Sequence, residues 1–456
     1  MIAVCSGYLI APMGLASVNV AIPALAADLT ASASQVGWLP TLYMLGSVAF
    51  MLPCGKLADM FGRKKVYALG LVVNALAALF CALADSIQSI LLWRFVQGVA
   101  GAMIFGTGIA IVTSVTPFNK RGSALGVVAS CVYIGLTAAP AIGGYLTEAL
   151  GWRSVFYFQL PFIVVLVAFI ALKLKGEWRG DSDTRFDWFG TVLFMAFAGL
   201  LVYGLAKLPN LTGIACSLGS LAMLVLFVSH QQQHKQPLIR VRLFKESRVF
   251  SLSLSSSFFM YASNFAIVFL LSLYLQYIKG LSPADAGSVL LIQALCMAIT
   301  APVAGRLADR FQSRIVATAG CVLVACGFVL LNMIDASSAT SHVGISLAVV
   351  GVGFGLFSTP NNNAIMSAVD HSEMGVASAS MNLARTIGNL VGMSLVNFLL
   401  HANLGDVALS HSPRGPLMDT ISAALQLSLG LVMLGIVMSL LRGRQAPAPA
   451  TDGETP

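Results

Sequence analysis

Long apolar stretches recur from one end of the chain to the other and limit what it can fold into. Of its 456 residues, 57% are hydrophobic and 10% are charged, with a mean hydropathy of +0.86. One globular core cannot hide that much apolar surface from water, so the chain must use lipid as its solvent. Each stretch is about 20 residues long, enough for a helix to cross a hydrocarbon core of about 30 Å.

The stretches are continuously apolar, with small residues spread through them. Lipid offers the backbone no hydrogen bonds, so only helices and closed barrels span a membrane. Membrane strands would be shorter and would alternate in polarity, so the pattern favours helices. The sequence therefore predicts an all-α membrane protein with fourteen transmembrane helices. The predicted spans are 2–26, 38–58, 66–85, 90–114, 123–147, 153–173, 188–206, 211–229, 249–277, 285–305, 314–334, 343–366, 374–400 and 419–441.

The distribution of positive charge predicts how these helices are oriented. If the N-terminus is cytoplasmic, most of the 26 lysines and arginines lie on the cytoplasmic side, while Arg94 and Arg385 fall inside apolar spans. This asymmetry favours an even number of helices with both termini in the cytoplasm. The net charge of +8 is accordingly a topology signal and does not indicate nucleic acid as a partner. The first span is interpreted as a retained helix.

The sequence lacks the residue patterns of an enzyme. Its eight cysteines stand singly and are expected to pack as small hydrophobic residues. No Ser/His/Asp constellation or metal-spaced histidine or cysteine group is recognised, and GVGFG at 351–355 lacks the lysine of a phosphate loop. We therefore expect no catalytic activity, no cofactor and no metal.

A charged phrase occurs twice in this apolar chain. GKLADMFGRKK stands at 55–65 and GRLADRF at 305–311. The first copy ends the second span, and the second copy ends the eighth of twelve spans if 188–229 is set aside. The two copies therefore mark the same place in two six-helix halves.

The residue types in the duplicated phrase suit a tight turn between helices that move. Gly55 and Gly305 would allow close helix approach. Asp59 and Asp309 could pair across the turn, and the basic residues would meet the negative end of the preceding helix dipole. We predict that the two turns form a latch between halves that rock. The gating residues predicted there are Gly55, Asp59, Gly62, Arg63, Lys64 and Asp309.

Further motifs follow in order along the chain. They are RFVQGVAGAM at 94–103, GLTAAPAIGG at 135–144, WRSVFYFQLP at 152–161, GVGFGLFSTPNNN at 351–363 and GVASASMNLARTIGNLVG at 375–392. With the duplicated phrase, they make the chain resemble the major facilitator superfamily over nearly its whole length, and more closely its fourteen-helix drug:proton antiporter branch. By this resemblance Gly135, Pro140, Gly143 and Gly144 join the gating residues.

The resemblance implies a fold and a domain order. We expect two six-helix bundles around a central cavity that opens alternately to each side, with an inserted helix pair between them. The N-terminal bundle would cover 1–174, and the linker with its two inserted transmembrane helices 175–248. The C-terminal bundle would cover 249–442, followed by a disordered tail at 443–456.

The chain departs from this branch where a proton carrier is usual. Gly14, in MGLASVNVAIP, stands where relatives place an acidic residue, and Gln159 replaces a usual asparagine. No acidic residue falls in the middle of a predicted span. Because burial raises the pKa of a carboxyl group towards neutrality, a membrane carboxylate is the usual proton carrier. We therefore predict weaker coupling to protons than in acid-bearing relatives.

Polar residues inside the spans are the candidates for substrate or coupling contacts. A buried Arg94 must face the cavity or a partner. It is either an anion or proton-coupling site or a hydrogen-bond hub for carbonyls of the first and fifth helices. Arg385 could instead extend towards the cytoplasmic surface, and Asn361 is expected to join helices. The candidates are Arg94, Gln97, Asn19, Tyr43, Tyr133, Asn264, Gln276 and Gln293.

These features predict a secondary active exporter of the bacterial inner membrane that moves drugs or amphipathic organic compounds by alternating access. Its partners would be a small-molecule substrate, the lipid bilayer and the proton gradient, and the protein would be a monomer. Two alternatives stay open. One is a facilitator or anion-selective carrier in which Arg94 binds substrate charge without proton exchange. The other is a non-transporting membrane receptor or scaffold.

Overall fold

The computed structural model describes residues 2–115, 121–173, 186–208, 210–234, 237–239, 241–369, 374–405 and 414–443. Most of these residues are helical. The helices are α1 (Ile2–Asp28), α2 (Ala33–Phe61), α3 (Arg63–Ala82), α4 (Ile87–Val115), α5 (Arg121–Leu150), α6 (Ser154–Tyr157), α7 (Gln159–Lys173), α8 (Trp188–Lys207), α9 (Leu211–Gln233), α10 (Arg242–Glu246), α11 (Arg248–Leu273), α12 (Pro283–Arg310), α13 (Ser313–Asn332), α14 (Thr340–Met366), α15 (Met374–Leu404) and α16 (Arg414–Leu441). A π-helical turn, Tyr274–Ile278, extends α11. The predicted tail beyond residue 443 lies outside the described residues.

Each predicted span corresponds to a helix, although most helices extend beyond the predicted bounds. Thirteen helical segments are long and apolar enough, on their described residues, to cross a membrane, with α6 and α7 counted as one segment. The remaining span is α5, some of whose side chains lie outside the described set. The prediction of an all-α membrane protein with fourteen spans is confirmed.

Large apolar side chains cover the outer surface of the helices. Leu92, Val165 and Leu221, for example, are 59%, 69% and 58% exposed. Water would leave this apolar surface unfavourably hydrated, whereas lipid solvates it. The protein is therefore a multi-pass membrane protein.

Local sequence signals set where several helices begin and end. α2 begins after Ser32, whose hydroxyl accepts the Gln35 N–H while the Gln35 side chain accepts the Ser32 N–H. α12 begins after Ser282, with Pro283 in its first turn. α2 ends at Gly62, whose φ of 115° favours glycine. The predicted tight turn at the first duplicated phrase is thus confirmed.

The two duplicated turns differ in how closely a neighbouring helix approaches their first glycine. A Cβ atom added at Gly55 would meet no described atom within 4 Å, and one at Gly305 would meet only Thr359 Cγ2 at an ordinary 3.6 Å. Helix α4 nevertheless approaches Gly55 closely, because a Cβ atom added at Gly106 would lie 3.7 Å from Gly55 N and 3.9 Å from Gly55 Cα. The predicted close helix approach is therefore found at Gly55, on a side other than that of its missing side chain, whereas no neighbouring backbone meets a Cβ atom at Gly305. The side chains of Asp59 and Asp309 lie outside the described residues, so their pairing stays a prediction.

The helices pack as two halves and an inserted pair. In the first half α2 packs on α4 and α1 on α5, while in the second α13 packs on α14 and α11 on α15. The halves are joined where α5 packs on α12 and α2 packs on α15. The inserted helices α8 and α9 pack on each other, and α8 also contacts α2 and α15. The inserted pair therefore lies against one helix of each half.

The glycines of α5 allow close helix contact. A Cβ atom added at Gly144 would overlap the carbonyl oxygen of Pro283 in α12. On the α1 side, one at Gly135 would overlap the Leu9 carbonyl oxygen, and Gly143 is equally confined. Three glycines predicted for gating therefore lie at helix contacts, and one of these contacts joins the halves.

The halves also share hydrogen bonds at the end of the molecule that contains Asp28, here called the Asp28 end. There, Asp28 itself accepts hydrogen bonds from Trp152 Nε1 at 3.0 Å and from Arg153 Nη1 at 2.7 Å, both within the first half. The hydrogen bonds between the halves at this end run from Ser272 Oγ to the Asn19 carbonyl oxygen (3.0 Å), from Gln276 Nε2 to that of Val20 (3.0 Å), from Tyr277 OH to that of Pro23 (3.2 Å) and from the Ala284 N–H to Glu148 Oε2 (3.2 Å).

Candidate functional site

A cavity of about 180 Å³ lies between the two halves. Its wall comes from α1, α2, α4 and α5 of the first half and from α11, α12, α14 and α15 of the second. Much of the wall is aromatic or contains methionine, which suits ligands of varied apolar shape. These residues are Tyr43, Met44, Met51, Phe105, Tyr261, Phe265, Met297 and Phe354. No carboxylate is among the described residues of the wall.

Four of the predicted candidates lie in this wall: Asn19, Tyr43, Asn264 and Gln293. Gln293 Nε2 donates a hydrogen bond to Asn264 Oδ1 at 2.7 Å. The other oxygen of this pair, Gln293 Oε1, is buried with no hydrogen-bond partner among the described residues, and the same holds for Asn19 Oδ1. Because an unpaired buried acceptor is costly, both oxygens are suited to accept a hydrogen bond from a ligand.

A polar strip on α15 forms another part of the wall. It consists of Asn382, Arg385, Thr386 and Asn389, whose spacing of three to four residues places them on one helix face. Thr386 Oγ1 donates to the Asn382 carbonyl oxygen at 2.7 Å, and Asn389 Oδ1 has no partner among the described residues. Asn382, Thr386 and Asn389 were not predicted, although their spacing inside an apolar span was the available signal.

Arg385 is the basic residue of the cavity wall. Its guanidinium carbon lies 5.8 Å from the centroid of the Tyr261 ring, a distance at which a cation is attracted to the ring face. The expectation that it extends away to the cytoplasmic surface is wrong, because the polar face of α15 is turned towards the cavity. Arg385 therefore supplies positive charge to the wall of this cavity.

Arg94, the strongest candidate in the sequence, lies behind the cavity wall. It is fully buried. Its Nη1 donates to Gln97 Oε1 at 2.8 Å and its Nε to the Leu39 carbonyl oxygen at 3.4 Å. Its guanidinium carbon lies 4.7 Å from the centroid of the Tyr43 ring, which does line the cavity. The hub alternative expected carbonyls of the first and fifth helices, whereas the carbonyl found belongs to α2.

Two further candidates lie elsewhere. Gln276 is not in the described wall, because its amide donates to the Val20 carbonyl oxygen and to Ser272 Oγ, both at 3.0 Å. It therefore joins the halves at the Asp28 end. The side chain of Tyr133 lies outside the described residues.

The two departures from the antiporter branch contact each other. A Cβ atom added at Gly14 would lie 2.5 Å from Gln159 Oε1. Gln159 is 4% exposed, and neither of its amide atoms has a hydrogen-bond partner among the described residues. Both residues line a small separate cavity of about 100 Å³ between α1, α5 and α7. The position of the missing acid is therefore outside the central cavity and is filled by an amide.

Asn361 joins helices, as predicted. Its Nδ2 donates to Ser257 Oγ at 2.8 Å, and its Oδ1 accepts a hydrogen bond from Arg442 Nη1 at 2.8 Å. Arg442 Nη2 also donates to the Ser313 carbonyl oxygen at 3.0 Å. This network ties α11, α13, α14 and the end of α16 together and lies apart from the cavity.

Comparisons with known proteins identify transporters of one superfamily as relatives. A family model, the Major Facilitator Superfamily, matches residues 4–393. Curated relatives include the riboflavin transporter RibZ of Clostridioides difficile, 29% identical over 86% of each chain. The uncharacterized transporter YebQ of Escherichia coli is 30% identical over 87% of each chain. The multidrug resistance protein Stp of Mycobacterium tuberculosis is 30% identical over 87% of this chain and 74% of its own.

Solved structures show the same fold. A bacterial homologue of the human lysosomal transporter Spinster, in an inward-facing and occupied conformation, superposes with a TM-score of 0.70 at 15% identity and covers 98% of both chains. A D-xylose-proton symporter superposes with a TM-score of 0.67 at 12% identity, covering 97% of this chain and 96% of its own.

Proposed function

The chain belongs to the major facilitator superfamily, and we propose that it exports neutral or anionic amphipathic compounds by alternating access across a bacterial inner membrane. Its relatives are transporters, and the chain is a transporter and not an enzyme. The proposal is carried by the cavity wall. The polar strip on α15, with Arg385, faces an aromatic and methionine-rich surface that has no carboxylate among its described residues.

The charge of the wall selects the class of substrate. Arg385 places positive charge among apolar side chains, where Coulomb interactions are stronger than in water. An anionic group would be attracted there, whereas a cation would lack a counter-charge. The unpaired oxygens of Asn19 and Gln293 can accept hydrogen bonds from hydroxyl or amide groups of a neutral substrate. Relatives named for riboflavin and for multidrug resistance support aromatic, amphipathic compounds.

The contacts at the Asp28 end support alternating access. With the predicted topology this end faces outside, so its hydrogen bonds between the halves close the cavity on that side. An exporter would load its substrate from the cytoplasm in this conformation and would have to break these bonds to release it. Bonds to carbonyl oxygens and one exposed carboxylate are individually modest, which suits a contact that opens in each cycle.

Coupling to protons is proposed to be weak. The antiporter branch places an acid at the position of Gly14, and here an uncharged amide fills that space. The same observation supports an anion-selective carrier without proton exchange as the second candidate function. The receptor or scaffold alternative has no support, because the relatives are transporters.

The test measures transport into proteoliposomes and compares the rates for matched anionic, neutral and cationic aromatic compounds. Riboflavin serves as a neutral probe. Arg385→Gln removes the charge, and we expect it to slow anion transport by about tenfold to a hundredfold. This is the effect expected from the loss of one charge-assisted hydrogen bond. Arg385→Lys should retain part of the rate. Arg248→Gln is the matched control, because Arg248 is exposed and lies outside the cavity wall. Preference for cations in the wild type, or unchanged anion transport in Arg385→Gln, would overturn the proposal.

A further inference from the structure

The inserted helix pair brings three metal-ligating side chains together away from the cavity. Asp187 immediately precedes α8, His230 lies in the last turn of α9, and His234 directly follows α9. One potential ligand atom from each residue lies within 4.8 Å of the other two. We propose that Asp187, His230 and His234 bind a divalent transition-metal ion of the zinc type.

The spacing of the two histidines suits one metal ion. They stand four residues apart in HQQQH, so both side chains project from the same side of the helix end. Their ring centroids are 5.1 Å apart. Pairs of histidines at this spacing are a recognised zinc-binding arrangement. The HQQQH spacing is visible in the sequence and departs from the expectation of no metal-spaced histidines, whereas the third ligand lies 43 residues before His230.

The carboxylate completes the ligand set. Asp187 Oδ1 lies 2.9 Å from His230 Nε2, close to the separation of two atoms bound to one metal ion. The Asp187 side chain is 2% exposed and that of His230 is 25% exposed, so the pair is shielded yet reachable from the surface. A buried carboxylate beside two imidazoles is suited to pair with a cation.

Neighbouring groups hold Asp187 in place. Its Oδ1 accepts the Gly190 N–H at 2.8 Å, and its Oδ2 accepts a hydrogen bond from Gln231 Nε2 at 2.8 Å. The carboxylate is therefore oriented before any metal arrives, as in metal sites whose ligands are fixed by outer hydrogen bonds.

The ligand set selects the class of ion. Two imidazoles and one carboxylate suit Zn²⁺ and the neighbouring ions Co²⁺, Ni²⁺ and Cu²⁺. Mg²⁺ and Ca²⁺ prefer sites made of oxygen ligands alone. Three protein ligands leave a fourth position for water.

The position of the site gives it a consequence for the fold. It joins the start of α8 to the end of α9, and Gln231 Oε1 also accepts the Leu238 N–H, from the chain that leads to the second half. Phe194 of α8 belongs to the same buried cluster as Met44 of α2 and Leu390 of α15. A bound ion would therefore hold the start of α8 and the end of α9 together, at the open end of a hairpin that lies against the two halves.

The test is metal titration of the full chain, purified without a histidine tag and stripped of metal. Co²⁺ is the probe, because four-coordinate cobalt has strong visible absorption. We expect one Co²⁺ per chain, displaced by one Zn²⁺. His230→Asn, His234→Asn and Asp187→Asn should each weaken binding by at least about 100-fold, since loss of an outer partner alone costs 10- to 100-fold. Gln232→Asn is the matched control, because Gln232 is exposed between the two histidines.

Asp187→Asn also guards against loss of the fold, because asparagine still caps a helix and can still accept the Gly190 N–H. Elution as a single species in size-exclusion chromatography checks each variant. Absence of cobalt absorption in the wild type would overturn the proposal and leave a hydrogen-bonded clasp between α8 and α9. Wild-type affinity in all three ligand variants would also overturn it, because the metal would then bind elsewhere.

Discussion

Arg94 and Arg385 both lie inside apolar helices, but their surroundings differ. Arg94 is fully buried, bonds to Gln97 and lies against the ring of Tyr43. Arg385 is in the cavity wall, near the ring of Tyr261. Arg94 therefore lies where it can position Tyr43, whereas Arg385 can contact a substrate. Because Arg94 Nη2 has no hydrogen-bond partner among the described residues, a role for Arg94 in coupling stays a prediction. The two arginines differ because the α15 face that carries Arg385 is turned towards the cavity, whereas Arg94 of α4 is not in the cavity wall.

The bond between Arg94 and Gln97 can be tested by a double-mutant cycle. We expect Arg94→Ala and Gln97→Ala to be non-additive in the free energy of unfolding, by about 0.5–3 kcal/mol, because each removes the same hydrogen bond. Unfolding of the purified protein in mixed detergents measures this. Arg94→Ala combined with Arg385→Ala is the control pair and should be additive. Additivity in the first pair would show that the bond contributes nothing.

The contact between Gly14 and Gln159 predicts how proton coupling can be strengthened. Gly14→Asp must displace the Gln159 amide, which is the flexible end of a side chain and can move. Its carboxyl group could then exchange a proton and accept a hydrogen bond from that amide. We expect transport by Gly14→Asp to depend more strongly on a pH gradient than wild-type transport does. Gly14→Asn, which has the same size but does not ionise, should behave as the wild type. Equal gradient dependence in both variants would refute this reading.

At the scale of helices, the sequence predicts which segments are helical but does not predict which face of each helix is turned towards the cavity. Continuous apolar runs identified all fourteen spans, because lipid requires that length of any helix that crosses it. The break at Phe158 between α6 and α7 and the π-helical turn after Leu273 were not predicted. The polar strip on α15 could not be predicted, because which side of a helix faces a cavity is decided by partner helices distant in sequence.

The first duplicated turn offers a matched pair of glycines. Gly62→Ala should destabilise the protein by about 1–3 kcal/mol, because φ of 115° strains any residue with a Cβ atom. Gly55→Ala should be neutral or stabilising by about 0.5–1 kcal/mol, because Gly55 is helical and no described atom would meet the new methyl group. Melting temperatures of the two variants measure the difference. A larger loss at Gly55 than at Gly62 would contradict the observed packing.

At the scale of the whole molecule, two halves meet at the Asp28 end and enclose a cavity whose charge is positive. α5 on α12 and α2 on α15 form the contacts between the halves, and α8 lies across α2 and α15. Rocking of the halves would exchange access to the cavity while each bundle keeps its own packing. Under the proposed function, the cavity would select the substrate, and coupling would depend on groups outside its described wall.

The most direct test is accumulation of a neutral substrate by wild-type proteoliposomes under a pH gradient, with the membrane potential held at zero. One-to-one exchange with protons would allow about tenfold accumulation for each unit of pH difference, or about 1.4 kcal/mol. Equal concentrations on both sides would favour the uncoupled carrier. We expect accumulation above equality that stays clearly below tenfold. Accumulation that reaches tenfold and follows the imposed gradient would contradict the account.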